Sequence, residues 1–186
     1  QHIDQNDQSV EIEMFIRMQW NDSRLEYLNE NTTEENIYLE KEEFVYWKPD
    51  LYAVNAKKTV SPEIQAPPEF FKIWPNGRVL TSKKVNIRFG CKMEFRNYPF
   101  DTQICPLVFE SYGHTSDKMN FYLGQDDVTV VTGLHLPDYN YKIKVEEEKV
   151  GYSNLNLSWG IFSNSKIVFI LERELSSHMT KIFIPT

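Results

Sequence analysis

The chain lacks the features that mark several common classes of protein. It contains no run of eighteen apolar residues, so the sequence as given predicts no membrane-spanning helix. Acidic residues outnumber basic ones, the formal net charge is −7, and no basic stripe typical of nucleic-acid binding is present. The four histidines are scattered and predict no metal site, and nothing predicts a cofactor. The sequence contains no phosphate-binding loop and no catalytic serine or cysteine motif, so nothing in it predicts an enzyme.

Cysteine is also scarce, with only Cys91 and Cys105 in the chain. Two cysteines are compatible with free thiols or with one disulfide. A disulfide closing a loop of this length would stabilise the fold by about 3 kcal/mol in the chain-entropy model. Three Asn-X-Ser/Thr triplets, at Asn21, Asn31 and Asn156, are candidate glycosylation sites. Together, these features favour an oxidising, extracellular compartment.

Strand patterns dominate what is present. Apolar residues alternate with others from Val10 to Trp20, which predicts a strand with one face in a core. The same pattern recurs at 85–89, 107–112, 141–145 and 167–171. Turn residues at 75–77, 124–127 and 153–156 separate such runs, and a short helical turn is predicted at 34–38. Many short strands without repeats or linkers predict one domain, an antiparallel β-sandwich.

The face of the first strand opposite the core carries Phe15 and Arg17. An aromatic ring and an arginine on a solvent-facing side are compatible with an interface or a ligand site. An ordinary surface cation–π pair is the alternative interpretation.

The segment from Cys91 to Cys105 encloses Tyr98-Pro99-Phe100-Asp101. This spacing and interior resemble those of the Cys-loop receptors, the pentameric neurotransmitter-gated ion channels. Further motifs resemble the family in the family's order, at 15–22, 47–50, 76–82, 110–113, 133–137, 171–173 and 181–186.

The resemblance implies that residues 1–186 form an extracellular ligand-binding domain with an immunoglobulin-like antiparallel β-sandwich. It implies a homo- or hetero-pentamer in the plasma membrane, held there by a transmembrane domain that this sequence lacks, at a synapse in some members. The family's N-terminal helix and most of its first strand are also expected to be missing. The implied function is binding of a small amino acid or amine between subunits to gate an ion channel.

Arg17 matches an arginine of the anion-channel branch, which includes the glycine, gamma-aminobutyric acid and glutamate-gated chloride receptors. The resemblance divides the ligand-binding residues between two facing subunits. The principal side is expected to supply Glu110, Tyr112, Trp159, Phe162 and Tyr52. The complementary side is expected to supply Phe15, Arg17 and Ser82. Arg17 would bind a carboxylate and Glu110 an ammonium, which suits a zwitterionic amino acid.

The chain departs from the nicotinic branch of the family in two places. The capping loop around Trp159 lacks an adjacent cysteine pair, and Val54 stands where nicotinic receptors carry a tyrosine. Val54 argues against acetylcholine as the agonist.

A second group resembles the residues that couple ligand binding to the pore. The resemblance implies a Cys91–Cys105 disulfide, a cis bond before Pro99 and a salt bridge between Asp101 and Arg173. Four residues of this loop would contact the membrane domain, namely Tyr98, Pro99, Phe100 and Asp101. The turn at residues 5–7 would contact it as well. A plain surface ion pair is the alternative for Asp101 and Arg173.

Two other functions remain open from sequence. A soluble pentameric binding protein of the same fold would lack the channel, although 181–186 resemble the run into a membrane helix. An enzyme or a carbohydrate-binding module on a β-sandwich is the second alternative, since a fold does not fix a function.

Overall fold

A computed structural model describes residues 2–27, 36–40, 47–61, 69–123, 128–130, 139–146 and 160–175. The strands in these ranges are β1 (His2–Asp4), β2 (Ser9–Asn21), β3 (Ile37–Glu40), β4 (Leu51–Ala53), β5 (Ala56–Val60), β6 (Glu69–Ile73), β7 (Arg78–Gly90), β8 (Thr102–Thr115), β9 (Tyr139–Glu146) and β10 (Phe162–Arg173). A short 3-10 turn covers Ser23–Leu25.

The strands form two antiparallel sheets. The first has the order β1-β2-β7-β6-β3, with β5 also paired to β7, and the second has the order β4-β8-β10-β9. Phe89 on β7 packs against Phe169 on β10, with ring centroids 5.7 Å apart, so the two sheets share a core there. The predicted antiparallel β-sandwich is confirmed.

The contacts of the chain divide it into two units. The first comprises Gln1–Ile12, Asp50–Lys58 and Arg88–Thr186, and the second comprises Glu13–Pro49 and Thr59–Ile87. The core of the first unit includes Phe89, Leu107 and Leu171, together with both cysteines. In the second unit Phe71, Ile73 and Val79 form a buried cluster, against which Trp20, Leu25 and Tyr27 pack.

The alternation predicted for β2 is confirmed. Val10 and Ile12 are buried, whereas Phe15 and Arg17 are exposed on the other side. Successive side chains of a strand point to opposite faces, so the pattern of apolar residues decides which face joins the core.

The predicted turn at 75–77 is also confirmed, and it joins β6 to β7. Gly77 has φ +74°, and a Cβ at this position would lie 2.6 Å from the carbonyl oxygen of Asp22. Glycine therefore satisfies both the backbone conformation and the close approach of the chain.

The helical turn predicted at 34–38 is wrong where the structure describes it. Ile37 begins β3, which pairs antiparallel with β6, and its pairing supplies the backbone hydrogen bonds that a helical turn would otherwise make. The predicted turns at 124–127 and 153–156 lie outside the described residues.

Candidate functional site

Phe15 and Arg17 lie on the exposed face of β2, in the second unit. The guanidinium carbon of Arg17 is 5.6 Å from the centroid of the Phe15 ring. This is within the distance at which a cation is attracted to an aromatic face. The pair therefore offers an exposed positive group beside an exposed apolar ring.

Lys84 on β7 is a neighbour of this pair that the sequence interpretation did not include. Its ammonium forms an ion pair with Glu13 of β2 and lies 5.9 Å from the centroid of the Phe15 ring. Lys84 therefore shares the face of Phe15. Its charge is partly neutralised by Glu13.

Ser82 lies two residues before Lys84 on β7, so both side chains project from the same face of the sheet. Ser82 is buried and stands opposite Phe70 of β6 in the strand register. The three predicted complementary-side residues, Phe15, Arg17 and Ser82, thus share one sheet face.

Three of the predicted principal-side residues come together in the first unit. Tyr52 of β4 stands opposite Glu110 of β8 in the register, and Tyr112 follows two positions later on the same face. The rings of Tyr52 and Tyr112 meet edge to face, with centroids 5.5 Å apart. Tyr112 remains 78% exposed, so its ring is available to a ligand.

Glu110 is the buried member of this group. Its exposed fraction is only 6%, and this burial raises the pKa of its carboxyl group. Burial also raises the pKa of Tyr52, and the neighbouring charge of Glu110 adds to that rise. A carboxylate and two tyrosine rings on one sheet face are suited to attract an ammonium group.

Asp50 holds this group in position. Its carboxylate accepts hydrogen bonds from the Ser111 hydroxyl at 2.7 Å and from the Gly113 backbone N–H at 2.6 Å. Its carbonyl oxygen accepts a third from the Tyr112 backbone N–H at 3.4 Å. Asp50 thus fixes the backbone on both sides of Tyr112. Its place in the motif at 47–50 was the only sequence signal for this role.

Of the two residues predicted for the capping loop, the structure describes Phe162. Phe162 is the first residue of β10, is buried and stands opposite Thr115 of β8. Trp159 lies outside the described residues. The roles of both residues in ligand binding stay predictions.

The predicted Cys91–Cys105 disulfide is confirmed, with 5.0 Å between the two Cα atoms. Within the loop, the peptide bond between Tyr98 and Pro99 is cis, as the resemblance implied. Tyr98 and Phe100 on either side of the proline are exposed. The loop thus presents two large aromatic side chains.

Arg173 and Asp101 form a buried ion pair. The Arg173 Nε donates to Oδ1 of Asp101 at 2.6 Å, and Nη2 donates to Oδ2 at 2.8 Å. Their side chains are 0% and 2% exposed. The predicted salt bridge is confirmed, and the alternative of a surface pair is wrong, because the disulfide loop and β10 enclose both groups.

Further contacts extend the Arg173 pair to the turn between β1 and β2. The guanidinium of Arg173 lies 4.8 Å from the ring centroids of both Tyr98 and Tyr139. The Tyr139 hydroxyl accepts a hydrogen bond from Gln5 at 3.0 Å. Gln5 belongs to the turn predicted to contact the pore domain. Tyr139 was not predicted, since nothing in its local sequence marks this distant contact.

Of the three candidate glycosylation sites, Asn21 is the one inside the described residues, where it is exposed at the end of β2. Asn31 and Asn156 lie outside them. Within the described ranges, no group of three or more acidic, histidine or cysteine side chains could hold a metal ion. No helix there is long and apolar enough to cross a membrane.

Comparison with known proteins identifies similarity to ligand-gated ion channels. Residues 1–175 match the family described as Neurotransmitter-gated ion-channel ligand binding domain. A relative, the Glutamate-gated chloride channel of Drosophila melanogaster, is 33% identical over 175 residues. The match covers 94% of this chain but 37% of that channel, so the chain spans little more than a third of its relative's length.

Proposed function

The chain belongs to the neurotransmitter-gated ion-channel ligand-binding domain family, and we propose that it binds a small amino acid or amine whose binding gates an ion channel. In this proposal the agonist binds between two copies of the domain. One copy supplies Glu110, Tyr112 and Tyr52, with Phe162 and Trp159. The adjacent copy supplies Phe15, Arg17 and Ser82.

The complementary chemistry of the two groups carries this proposal. Exposed Arg17 can bind a carboxylate through two parallel hydrogen bonds. Buried Glu110 and exposed Tyr112, on the same face of β8, suit an ammonium group. A ligand with a carboxylate at one end and an ammonium at the other would satisfy both groups, which favours a zwitterionic amino acid over a simple amine.

The ion-pairing of Lys84 supports Arg17 as the carboxylate-binding group. The Lys84 ammonium already forms an ion pair with Glu13, whereas the Arg17 guanidinium contacts the uncharged ring of Phe15. A ligand carboxylate would therefore face less competition at Arg17. The name of the Drosophila relative is consistent with an amino-acid agonist and with chloride as the permeating ion.

Assembly as a ring of five in the plasma membrane, with this domain on the extracellular side, completes the proposal. Such an assembly would form the two-copy site five times around the ring in a homomer. A postsynaptic location would place the domain where an amino-acid transmitter is released.

Coupling to the pore is proposed to run through the Asp101–Arg173 pair. Arg173 ends β10, whose first residue is Phe162, so movement at the ligand end of this strand reaches the disulfide loop. Tyr139 connects the same pair to Gln5. Agonist would shift the population toward the open channel if it binds the open arrangement more tightly.

The full-length receptor expressed in oocytes tests the proposal. Amino acids and amines are applied singly, and the current evoked by each is recorded at varied chloride gradients. For the active agonist, Arg17→Ala is expected to raise the half-maximal concentration at least tenfold, which corresponds to about 1.4 kcal/mol. Arg17→Lys is expected to restore it only in part, because an ammonium cannot form the two parallel hydrogen bonds of a guanidinium.

Lys142→Ala is the matched control, since it removes one exposed positive charge from β9 and should leave the half-maximal concentration unchanged. Equal sensitivity of wild type and Arg17→Ala would overturn the role of Arg17 in binding a carboxylate. A receptor that binds amino acids but carries no current would instead favour the soluble binding-protein alternative.

A further inference from the structure

The triplet Asn21-Asp22-Ser23 lies where β2 ends and the 3-10 turn begins. Asn21 and Ser23 are both exposed, whereas Asp22 between them is buried. The two residues that define a glycosylation acceptor are therefore at the surface, and the middle residue anchors the segment.

Asp22 provides that anchor through its backbone and its side chain. Its N–H donates to the Gly77 carbonyl oxygen at 2.9 Å. Its carboxylate accepts from the Arg24 backbone N–H at 3.1 Å and from the Arg24 guanidinium at 2.8 and 2.7 Å. A group attached to Asn21 would therefore project from a well-defined base.

Strand geometry fixes the direction of that projection. Asn21 is four positions after Arg17 and six after Phe15. Because both numbers are even, all three side chains project from the same face of β2. At a rise of about 3.4 Å per residue, Asn21 lies about 14 Å along the strand from Arg17 and about 20 Å from Phe15. Asn21 thus stands beyond one end of the Phe15–Arg17 pair, on the same face.

We propose that Asn21 carries an N-linked glycan and that this glycan bounds one end of the face that holds Phe15 and Arg17. The Cys91–Cys105 disulfide and membership of a family of extracellular domains are consistent with passage through the secretory pathway, where such glycans are added. The donor is a lipid diphosphate-linked oligosaccharide. A bond forms between the sugar C1 and Nδ2 of Asn21, the bond from C1 to the diphosphate oxygen breaks, and the amide proton leaves.

The glycan limits how adjacent surfaces approach this sheet. A branched, hydrated oligosaccharide at Asn21 prevents close packing of another protein against the last residues of β2. Contacts across this face are then confined to the part of β2 that includes Phe15 and Arg17. This consequence concerns the shape of the surface and holds whichever agonist binds.

The test uses the full-length protein expressed in insect or mammalian cells. Glycans are released enzymatically in heavy-oxygen water, and peptides are mapped by mass spectrometry, so each formerly glycosylated asparagine carries a label. The label is expected at position 21. Ser23→Ala is expected to abolish it, whereas Ser23→Thr, which keeps the acceptor triplet, is expected to retain it. Loss of the label in Ser23→Ala but not in Ser23→Thr separates glycosylation from any effect of the serine on folding.

An unlabelled Asn21 in the wild-type protein would overturn the proposal, whether or not Asn31 and Asn156 are labelled.

A second measurement addresses the position of the glycan. With the agonist of the full-length receptor, Ser23→Ala and Ser23→Thr are expected to differ less than threefold in half-maximal concentration. A tenfold difference would show that the glycan affects the agonist site directly, and would overturn its proposed position at the end of the face. The peptide map does not depend on channel activity, so failure of the proposed function and failure of this inference are distinguishable.

Discussion

The side chains of Asp101 and Arg173 meet through two short hydrogen bonds, 2.6 and 2.8 Å long, and almost no part of either side chain reaches solvent. Gln103 donates a further hydrogen bond to the same carboxylate at 2.6 Å, and Tyr98 and Tyr139 lie 4.8 Å from the guanidinium. The buried carboxylate and guanidinium are thus stabilised by each other and by neighbouring groups of the protein, not by solvent. Removal of either partner would leave the other buried and uncompensated.

Loss of the Asp101 carboxylate is therefore expected to be costly. Asp101→Ala should lower the free energy of unfolding by about 3–5 kcal/mol, the usual effect of breaking a buried pair by removing one partner. Denaturant unfolding followed by tryptophan fluorescence measures this change. The double variant Asp101→Leu, Arg173→Met should cost less than the sum of the two single changes, because it leaves no unpaired buried charge. A cost below about 1 kcal/mol for Asp101→Ala, typical of exposed pairs, would contradict the buried arrangement.

Acid should weaken the same interaction. Burial opposes ionisation of Asp101, but hydrogen bonds from Arg173 and Gln103 outweigh it, so the pKa of Asp101 is lowered. A lowered pKa in the folded state contributes stability that is fully present above the unfolded value, about 3.9, and is lost as pH falls through the folded value.

The stability difference between wild type and Asp101→Asn measures this contribution, since asparagine does not titrate. The difference is expected to be constant from neutral pH to about pH 5 and to shrink below about pH 4. A difference that grew on acidification would contradict the lowered pKa.

The sequence predicted these two residues as a pair only through the family resemblance. Nothing in the local pattern around Asp101 or Arg173 requires burial of either charge. The alternation along β2, by contrast, predicted the exposure of Phe15 and Arg17 directly, because a strand with one buried face alternates with a period of two residues. Local periodicity thus predicts faces, whereas long-range partners require the fold.

Asp50 and Tyr139 illustrate the same limit. Asp50 binds residues more than sixty positions away, and Tyr139 binds Gln5, 134 positions away. The ion pair between Lys84 and Glu13 was likewise not predicted, because it depends on the neighbouring positions of β2 and β7 in one sheet. The candidate site residues were therefore predictable by motif, but their supporting contacts were not.

Asp50 is expected to matter for agonist sensitivity, although no ligand contact is proposed for it. Asp50→Ala would remove the acceptor for the Ser111 hydroxyl and the Gly113 N–H, at a cost of about 1–3 kcal/mol if both are left unsatisfied. The Tyr112 ring would lose its fixed position. The half-maximal agonist concentration should rise roughly tenfold in oocyte recordings.

Asp50→Asn is the matched control, because it keeps one acceptor oxygen and should cause a smaller rise. Ser111→Ala removes the hydrogen bond that the hydroxyl donates to Asp50 and the one that it accepts from the His114 backbone N–H, but it leaves the Gly113 bond to Asp50 in place. Its effect should therefore not exceed that of Asp50→Ala. If all three variants leave agonist sensitivity unchanged, Asp50 does not position Tyr112 for binding.

Proton concentration should also modulate agonist binding through Glu110. Because burial raises the pKa of this carboxyl group above that of an exposed glutamate, about 4.3, Glu110 takes up a proton at a higher pH than such a glutamate. The neutral acid cannot attract an ammonium as the carboxylate does. The half-maximal concentration of a cationic or zwitterionic agonist should therefore rise as the external pH is lowered, and the rise should begin at a higher pH than titration of an exposed glutamate would give. A bound cation favours the carboxylate, so at saturating agonist the change should move to lower pH.

Glu110→Gln should require more agonist at neutral pH and lose the pH dependence, whereas Tyr52→Phe, which keeps the ring beside Tyr112, should retain it. Concentration–response curves for the three proteins at matched pH values decide the outcome. An unchanged pH dependence in Glu110→Gln would assign the effect to another group.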